Sequence, residues 1–141
     1  MATVLTATFA DSVQAIPNQK FSILGGGIKR LTPPSLPATF TRLDILLIME
    51  FAAGERELTF SAVLRTPSGK HLADFNGTIS RQKFDEVETS FIGIPLPPIN
   101  FEEAGQHILD VASGESRKEF GLVVERPKVV RMPAVEQKRP N

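Results

Sequence analysis

The chain has no cysteine, no tryptophan and no tyrosine. Without cysteine there is no disulfide, no thiolate metal site and no cysteine nucleophile, so the fold must be held by burial alone. Tryptophan and tyrosine dominate sugar platforms and interface hot spots, and their absence argues against carbohydrate binding. Charge excess of either sign is also missing: 16 basic and 16 acidic side chains cancel to a formal net charge of +0. A general attraction to nucleic acid or anionic lipid is therefore not expected. No apolar run approaches the roughly 20 residues that cross a bilayer, and the N-terminus lacks a basic leader. The expected setting is the cytoplasm, or an assembled particle made there, with no membrane insertion. Histidine is scarce, with only two, His71 and His107.

What is present reads as a sheet protein. The 141 residues, 41% of them hydrophobic, suit one ordinary globular domain. Ten phenylalanines supply the aromatic content. Phenylalanine buries area without needing a hydrogen-bond partner, which assigns all ten to the core. Apolar residues alternate with polar ones nearly throughout, the period of a strand. A first strand is predicted over about residues 2–10, followed by a turn over residues 11–19. A second strand starts at Lys20 and bends at Gly25, Gly26 and Gly27. Three prolines in Thr32-Pro33-Pro34-Ser35-Leu36-Pro37 mark a loop. Residues 38–51 read as one strand, central because Leu46 and Ile48 put apolar side chains on its second face too. A helix competes for residues 43–51, but no capping signal precedes them. Pro67-Ser68-Gly69-Lys70 joins two hairpin arms, with a bulge expected at Gly77 in the second. A strand over residues 89–94 ends in Pro95-Leu96-Pro97-Pro98, a crossing between sheets. The closing hairpin has arms over residues 106–112 and 117–125. The sum is about eight strands in an all-β, two-sheet β-sandwich, immunoglobulin-like or jelly-roll-like, over residues 1–126. Residues 127–141, with four basic and one acidic side chain, read as a flexible C-terminal tail.

Sites of chemistry are few. Gly25, Gly26 and Gly27 precede a lysine but lack the spacing and hydroxyl of a phosphate loop. They imply a bend, a bulge or a close backbone approach, and they are also the candidate lining of a small-ligand site. His71 and His107 have no second histidine at ligand spacing, and three residues along a strand place His107 and Asp110 on opposite faces. Asp85, Glu86, Glu88, Glu102 and Glu103 lack a calcium-loop spacing and read as solvated edges. Asn76-Gly77-Thr78 matches a glycosylation sequon that has no secretory leader to give it meaning. No catalytic residue, metal site or cofactor is implied. In the tail, Val129, Val130, Arg131 and Met132 interleave apolar and basic side chains and are the candidate partner-binding residues. Such a segment is either simply disordered or able to add itself to a neighbour's sheet edge.

Ala10-Asp11, and Asn18 followed by Lys20-Phe21-Ser22-Ile23-Leu24-Gly25-Gly26-Gly27, resemble the opening of a family of small uncharacterised bacterial proteins. Pro67-Ser68-Gly69-Lys70, and Phe101 ahead of Gly105, fit the same layout. The resemblance implies an all-β sandwich over roughly residues 3–125 and no activity. The expected function is a non-catalytic module for protein binding, including self-association. The alternatives are a structural subunit of a larger shell or phage-like particle with the tail as an arm, and a small-ligand binder at the glycine corner.

Overall fold

The computed structural model describes residues 2–16 and 20–126. Among them are twelve strands and no helix: β1 (Thr3–Ala10), β2 (Ser12–Ile16), β3 (Lys20–Leu24), β4 (Arg30–Leu31), β5 (Ala38–Phe40), β6 (Asp44–Phe51), β7 (Glu57–Arg65), β8 (His71–Ser80), β9 (Glu88–Pro95), β10 (Ile99–Phe101), β11 (Gly105–Ser113) and β12 (Ser116–Val124). Correspondingly, no helix is long and apolar enough to cross a membrane among the described residues. A three-stranded sheet in the order β1-β6-β9 faces a five-stranded sheet in the order β4-β12-β11-β7-β8, and two two-stranded ribbons, β2-β3 and β10-β5, complete the β-sandwich.

Alternation builds the core. Ile45, Leu47, Met49 and Phe51 of β6 point inward, as do Leu58, Phe60, Ala62 and Leu64 of β7, and all are at most 6% exposed. Leu109, Val111, Leu122 and Val124 of β11 and β12 complete the opposite layer. Each such side chain larger than alanine, fully buried, contributes about 1.5–3 kcal/mol of transfer free energy. The strand reading of residues 43–51 is correct, and β6 is the central strand of its sheet. Its second face is covered where the β2-β3 hairpin lies over it, leaving Leu46 5% exposed. Val13 N–H donates to Asp44 Oδ2 at 2.8 Å and ties the hairpin down.

Several expectations are corrected. Residues 38–51 are two strands, because β5 turns away to pair with β10. Residues 12–16, expected to be part of a turn, form β2 and pair with β3; Pro17-Asn18-Gln19, the expected punctuation, lie outside the described residues. Gly77 is not a bulge: its register opposite Phe60 is regular, and the irregularity falls between Leu64 and Arg65, where Leu72 is left unpaired. Gly77 instead makes room for the Phe60 ring, which would sit 2.9 Å from an added Cβ. Four phenylalanines, Phe9, Phe51, Phe60 and Phe101, are buried, and Phe40, Phe75 and Phe120 pack against the core. Phe21, Phe84 and Phe91 do not belong to it.

Candidate partner-binding edge

The two long sides of the sandwich are closed differently. On one side β1 is stitched to β12: Val4 N–H donates to Ser116 Oγ at 3.0 Å and Lys118 Nζ to the Leu5 carbonyl at 3.1 Å. On the other side β8 is the last strand of the five-stranded sheet and β9 the last strand of the three-stranded one. An edge strand presents unpaired amides and carbonyls, a template for another strand. Ribbon β10 touches β8 and covers part of this side. Where β8 ends and β9 begins, a groove of about 690 Å³ remains. Its walls include Phe21, Phe51, Ile79, Arg81, Glu88 and Phe91.

The groove is aromatic at its mouth and braced at its base. Phe91 is 47% exposed, and its ring centroid stands 6.1 Å from that of Phe21. Phe91 faces outward with Thr89 because β9 alternates, its partner across the pair being Ile48 of β6. Gly93, next on that face, lets the hairpin approach, since Val13 Cγ1 would lie 2.9 Å from a Cβ there. At the base, the Arg81 guanidinium is 4.5 Å from the Phe51 ring centroid. Its Nε donates to the Glu55 carbonyl at 2.8 Å, and Nη2 donates to the carbonyls of Ala52 at 2.8 Å and Phe84 at 3.3 Å. Nη1 reaches Glu88 Oε2 at 3.4 Å. One planar cation thus fixes the β6–β7 turn against the β8–β9 loop, so the groove floor is rigid. The large hydrophobic residues that remain exposed among the described residues are Ile16, Ile23, Leu24, Val87 and Phe91. All five lie on the hairpin, at the end of the β8–β9 loop or on β9, and none on the five-stranded sheet. Clustered exposure of this kind marks an interaction surface.

The three consecutive glycines sit elsewhere. They carry the chain from β3, past a bridge between Phe9 and Ile28, to β4 on the other sheet. Gly25 and Gly27 have φ of 59° and 76°, in the left-handed region. With Asp11, Lys29 and Arg30 they line a separate shallow, open groove that includes Phe40. Val129, Val130, Arg131 and Met132 lie outside the described residues. His71 is exposed at the start of β8. His107 is 0% exposed, with its ring edge-on to Phe101 at 5.2 Å between centroids. Its Nδ1–H donates to the Gly105 carbonyl at 3.1 Å, which leaves Nε2 buried without a partner. Burial pushes this imidazole below its ordinary pKa, against the Gly105 carbonyl and the Glu103 carboxylate, which favour the charged form. Asp110 does face the opposite way, on the outer side of β11 between Arg65 and Arg117. Hydrogen bonding from Arg117 holds its carboxyl below the usual carboxylate range. Among the described residues no group of three His, Asp or Glu side chains is placed to hold a metal ion.

The groove is not among the sites that the sequence singles out, although one signal for it is there. In β9, Ile92 and Ile94 occupy the inward phase, so the same alternation sets Phe91 outward.

These features define the class: a two-layer, mostly antiparallel β-sandwich with one laterally open side. The chain belongs to a family of unknown function, DUF6941, whose profile matches residues 5–125. That agrees with the expectation of an uncharacterised family. No curated protein matches the chain in sequence. Among solved structures, the C-terminal domain of wzt is similar, with a TM-score of 0.50 and 14% identity, covering 89% of this chain and 74% of that one. At that identity the likeness speaks for the fold alone.

Proposed function

We propose that the domain is a non-catalytic binding module that receives an extended protein segment along the open β8–β9 side. The observation that carries this reading is the coincidence of two edge strands, neither paired on its outer side among the described residues, with the aromatic pair of half-buried Phe21 and exposed Phe91. Main-chain pairing along an edge gives affinity, and a pocket beside it selects alternate side chains. The placement of the imidazoles supports the non-catalytic part: His107 is walled into the core and His71 stands at a solvent-exposed strand start. His107 feels the Glu103 carboxylate but has no access to a cleft, and general acid–base work requires a group within reach of substrate.

The test is selection of displayed random peptides on the full chain, with counter-selection on Phe91→Arg. The expected result is enrichment of apolar, extended sequences that bind at least about tenfold more weakly to Phe91→Arg, the loss typical of an aromatic anchor. Binding to Ser61→Lys, on the exposed outer face of β7, stays unchanged. Absence of enrichment, or peptides indifferent to Phe91, would refute the reading.

A further inference from the structure

We infer that the segment received by this groove is residues 128–132 of a second copy of the same chain, an inference that rests on the binding-module reading above. Lys128-Val129-Val130-Arg131-Met132 is a five-residue stretch bounded by Pro127 and Pro133. Every residue in it keeps a backbone N–H for a ladder, whereas the flanking prolines cannot donate. As a strand it sets Val130 and Met132 on one face, with Val129 on the other, and valine is among the residues best suited to a pleated, half-buried surface.

Charge fits as well. Residues 127–141 hold four basic side chains and one acidic one, a net charge of +3, and because the whole chain sums to +0 the remainder is at −3. Beside the groove, a neighbouring hollow on the β8–β9 loop carries the exposed carboxylates Asp85 and Glu86 against one exposed cation, Lys83, and neither carboxylate has an ion-pair partner among the described residues. Lys128 and Arg131 bring the complementary sign, which steers association and sets register.

Reach decides between the chain's own groove and a neighbour's. Val124 pairs with Gly105, Ile108 with Arg65, and Arg65 with His71, so the described chain ends beside the start of β8. The groove lies at the other end of that strand, by Ile79 and Ser80. Three strand spacings of about 4.8 Å and a ten-residue strand rising about 3.3 Å per residue separate the two points, roughly 33 Å in all. Met132 is six residues beyond Arg126, a span of at most about 21 Å when fully extended. The apolar stretch therefore falls short of its own groove and can occupy only that of another copy.

The experiment is concentration-dependent mass measurement on the full chain by light scattering or sedimentation. Wild type is expected to exceed 15.4 kDa increasingly as concentration rises. Phe91→Arg and Val130→Glu each weaken self-association at least about tenfold, as loss of an apolar anchor does. Mixing the two variants restores a two-chain species, because one supplies an intact segment and the other an intact groove. Added salt weakens association, through Lys128 and Arg131. Thr89→Arg, at an exposed position that lines the same groove on the outward face of β9, replaces Phe91→Arg if circular dichroism shows that variant misfolded. A wild-type mass fixed at 15.4 kDa, association indifferent to either substitution, or a mixture that stays monomeric overturns the inference. If foreign peptides still require Phe91 in that case, the binding-module reading survives while self-occupancy falls; if they do not, both fall.

Discussion

Alanine at position 25 separates two reasons for glycine that sequence alone cannot distinguish. Gly25 and Gly27 both hold positive φ, 59° and 76°, and a non-glycine residue there costs about 1–2 kcal/mol. Around Gly27 an added Cβ meets nothing within 4 Å, so its penalty is the backbone term alone. At Gly25 the Cβ would stand 2.1 Å from Asp11 Oδ2, 2.7 Å from its Cγ and 3.2 Å from its Cβ. Asp11 cannot simply retreat, because its N–H donates to the Leu24 carbonyl at 3.0 Å and fixes its backbone against the same strand end. Rotating the carboxylate away removes the two shortest contacts and leaves the Cβ pair tight. Overpacking of that kind adds about 1–3 kcal/mol. Gly26 has no positive φ, and its Cβ would meet only Ile23 Cγ2 at 2.9 Å, a branch methyl that a χ1 rotation of this 43% exposed side chain moves aside.

The expected order of destabilisation is therefore Gly25→Ala at about 2–5 kcal/mol, Gly27→Ala at about 1–2 kcal/mol, and Gly26→Ala the least of the three. With no tryptophan or tyrosine, urea unfolding is followed by far-UV circular dichroism. The double variant Asp11→Gly with Gly25→Ala, which removes the Cβ that the carboxylate's rotation leaves in place, recovers about 1 kcal/mol relative to the sum of the single effects, the coupling expected of residues in contact. Equal costs at positions 25 and 27, or additive behaviour of Asp11 and Gly25, would refute the packing argument and leave only the backbone one.

Two further outcomes follow from buried ionisable groups. Arg81→Lys is expected to destabilise by about 2 kcal/mol, since a single ammonium cannot reach the carbonyls of Ala52, Glu55 and Phe84 that the fork serves together; Arg56→Ala, which loses a guanidinium 4.5 Å from the Phe84 ring, costs about 0.5–1 kcal/mol, and equal effects in urea titrations would contradict the clamp. His107 has a folded pKa below its ordinary value of about 6.5, so the unfolded chain takes up the proton first. Its contribution is present above about pH 6.5 and is lost as pH falls through the folded value; His107→Leu should flatten thermal stability across that window, and an unchanged slope would count against it. A second decline, below about pH 4, remains in that variant, because Asp110 is likewise depressed by its bond from Arg117 and loses its pairing only when protonated.

The parts of the fold that are legible in the sequence are those in which one physical preference dominates. Period-two burial defines β6, β7, β11 and β12, and the positive-φ residues Gly69 and Gly114 sit in the two hairpin turns that the sequence leads one to expect. β2 escapes such a reading because Ser12-Val13-Gln14-Ala15-Ile16 is mostly polar or exposed, as suits a ribbon strand that rests Val13 on Gly93 of the sheet below and leaves Ala15 and Ile16 exposed. The break between β5 and β6 escapes it because Phe40 and Leu43 are apolar on both sides of it, and hydrophobicity does not say which partner strand an apolar residue will choose. Lack of polar atoms assigns phenylalanine wholly to the core. That argument holds for Phe101 and fails for Phe91, where strand phase outweighs composition.

The same phase argument explains why the open side lies where it does. Closing a sandwich laterally requires a side chain or strand to bridge the layers, and β12 supplies Ser116 and Lys118 toward β1. On the opposite side β8 and β9 are consecutive in sequence, joined by the loop over residues 81–87. Arg81, the residue best able to bridge them, spends its donors on the carbonyls of that loop and of the β6–β7 turn, and its remaining reach on Glu88. The loop is thereby braced while the strand edges beside it keep their amides. Phe21 and Phe91 then stand over a rigid floor with no partner strand among the described residues to cover them. A rigid, half-apolar edge loses little conformational entropy when a strand is added. This is why the groove, rather than the glycine corner, is where recognition is to be sought.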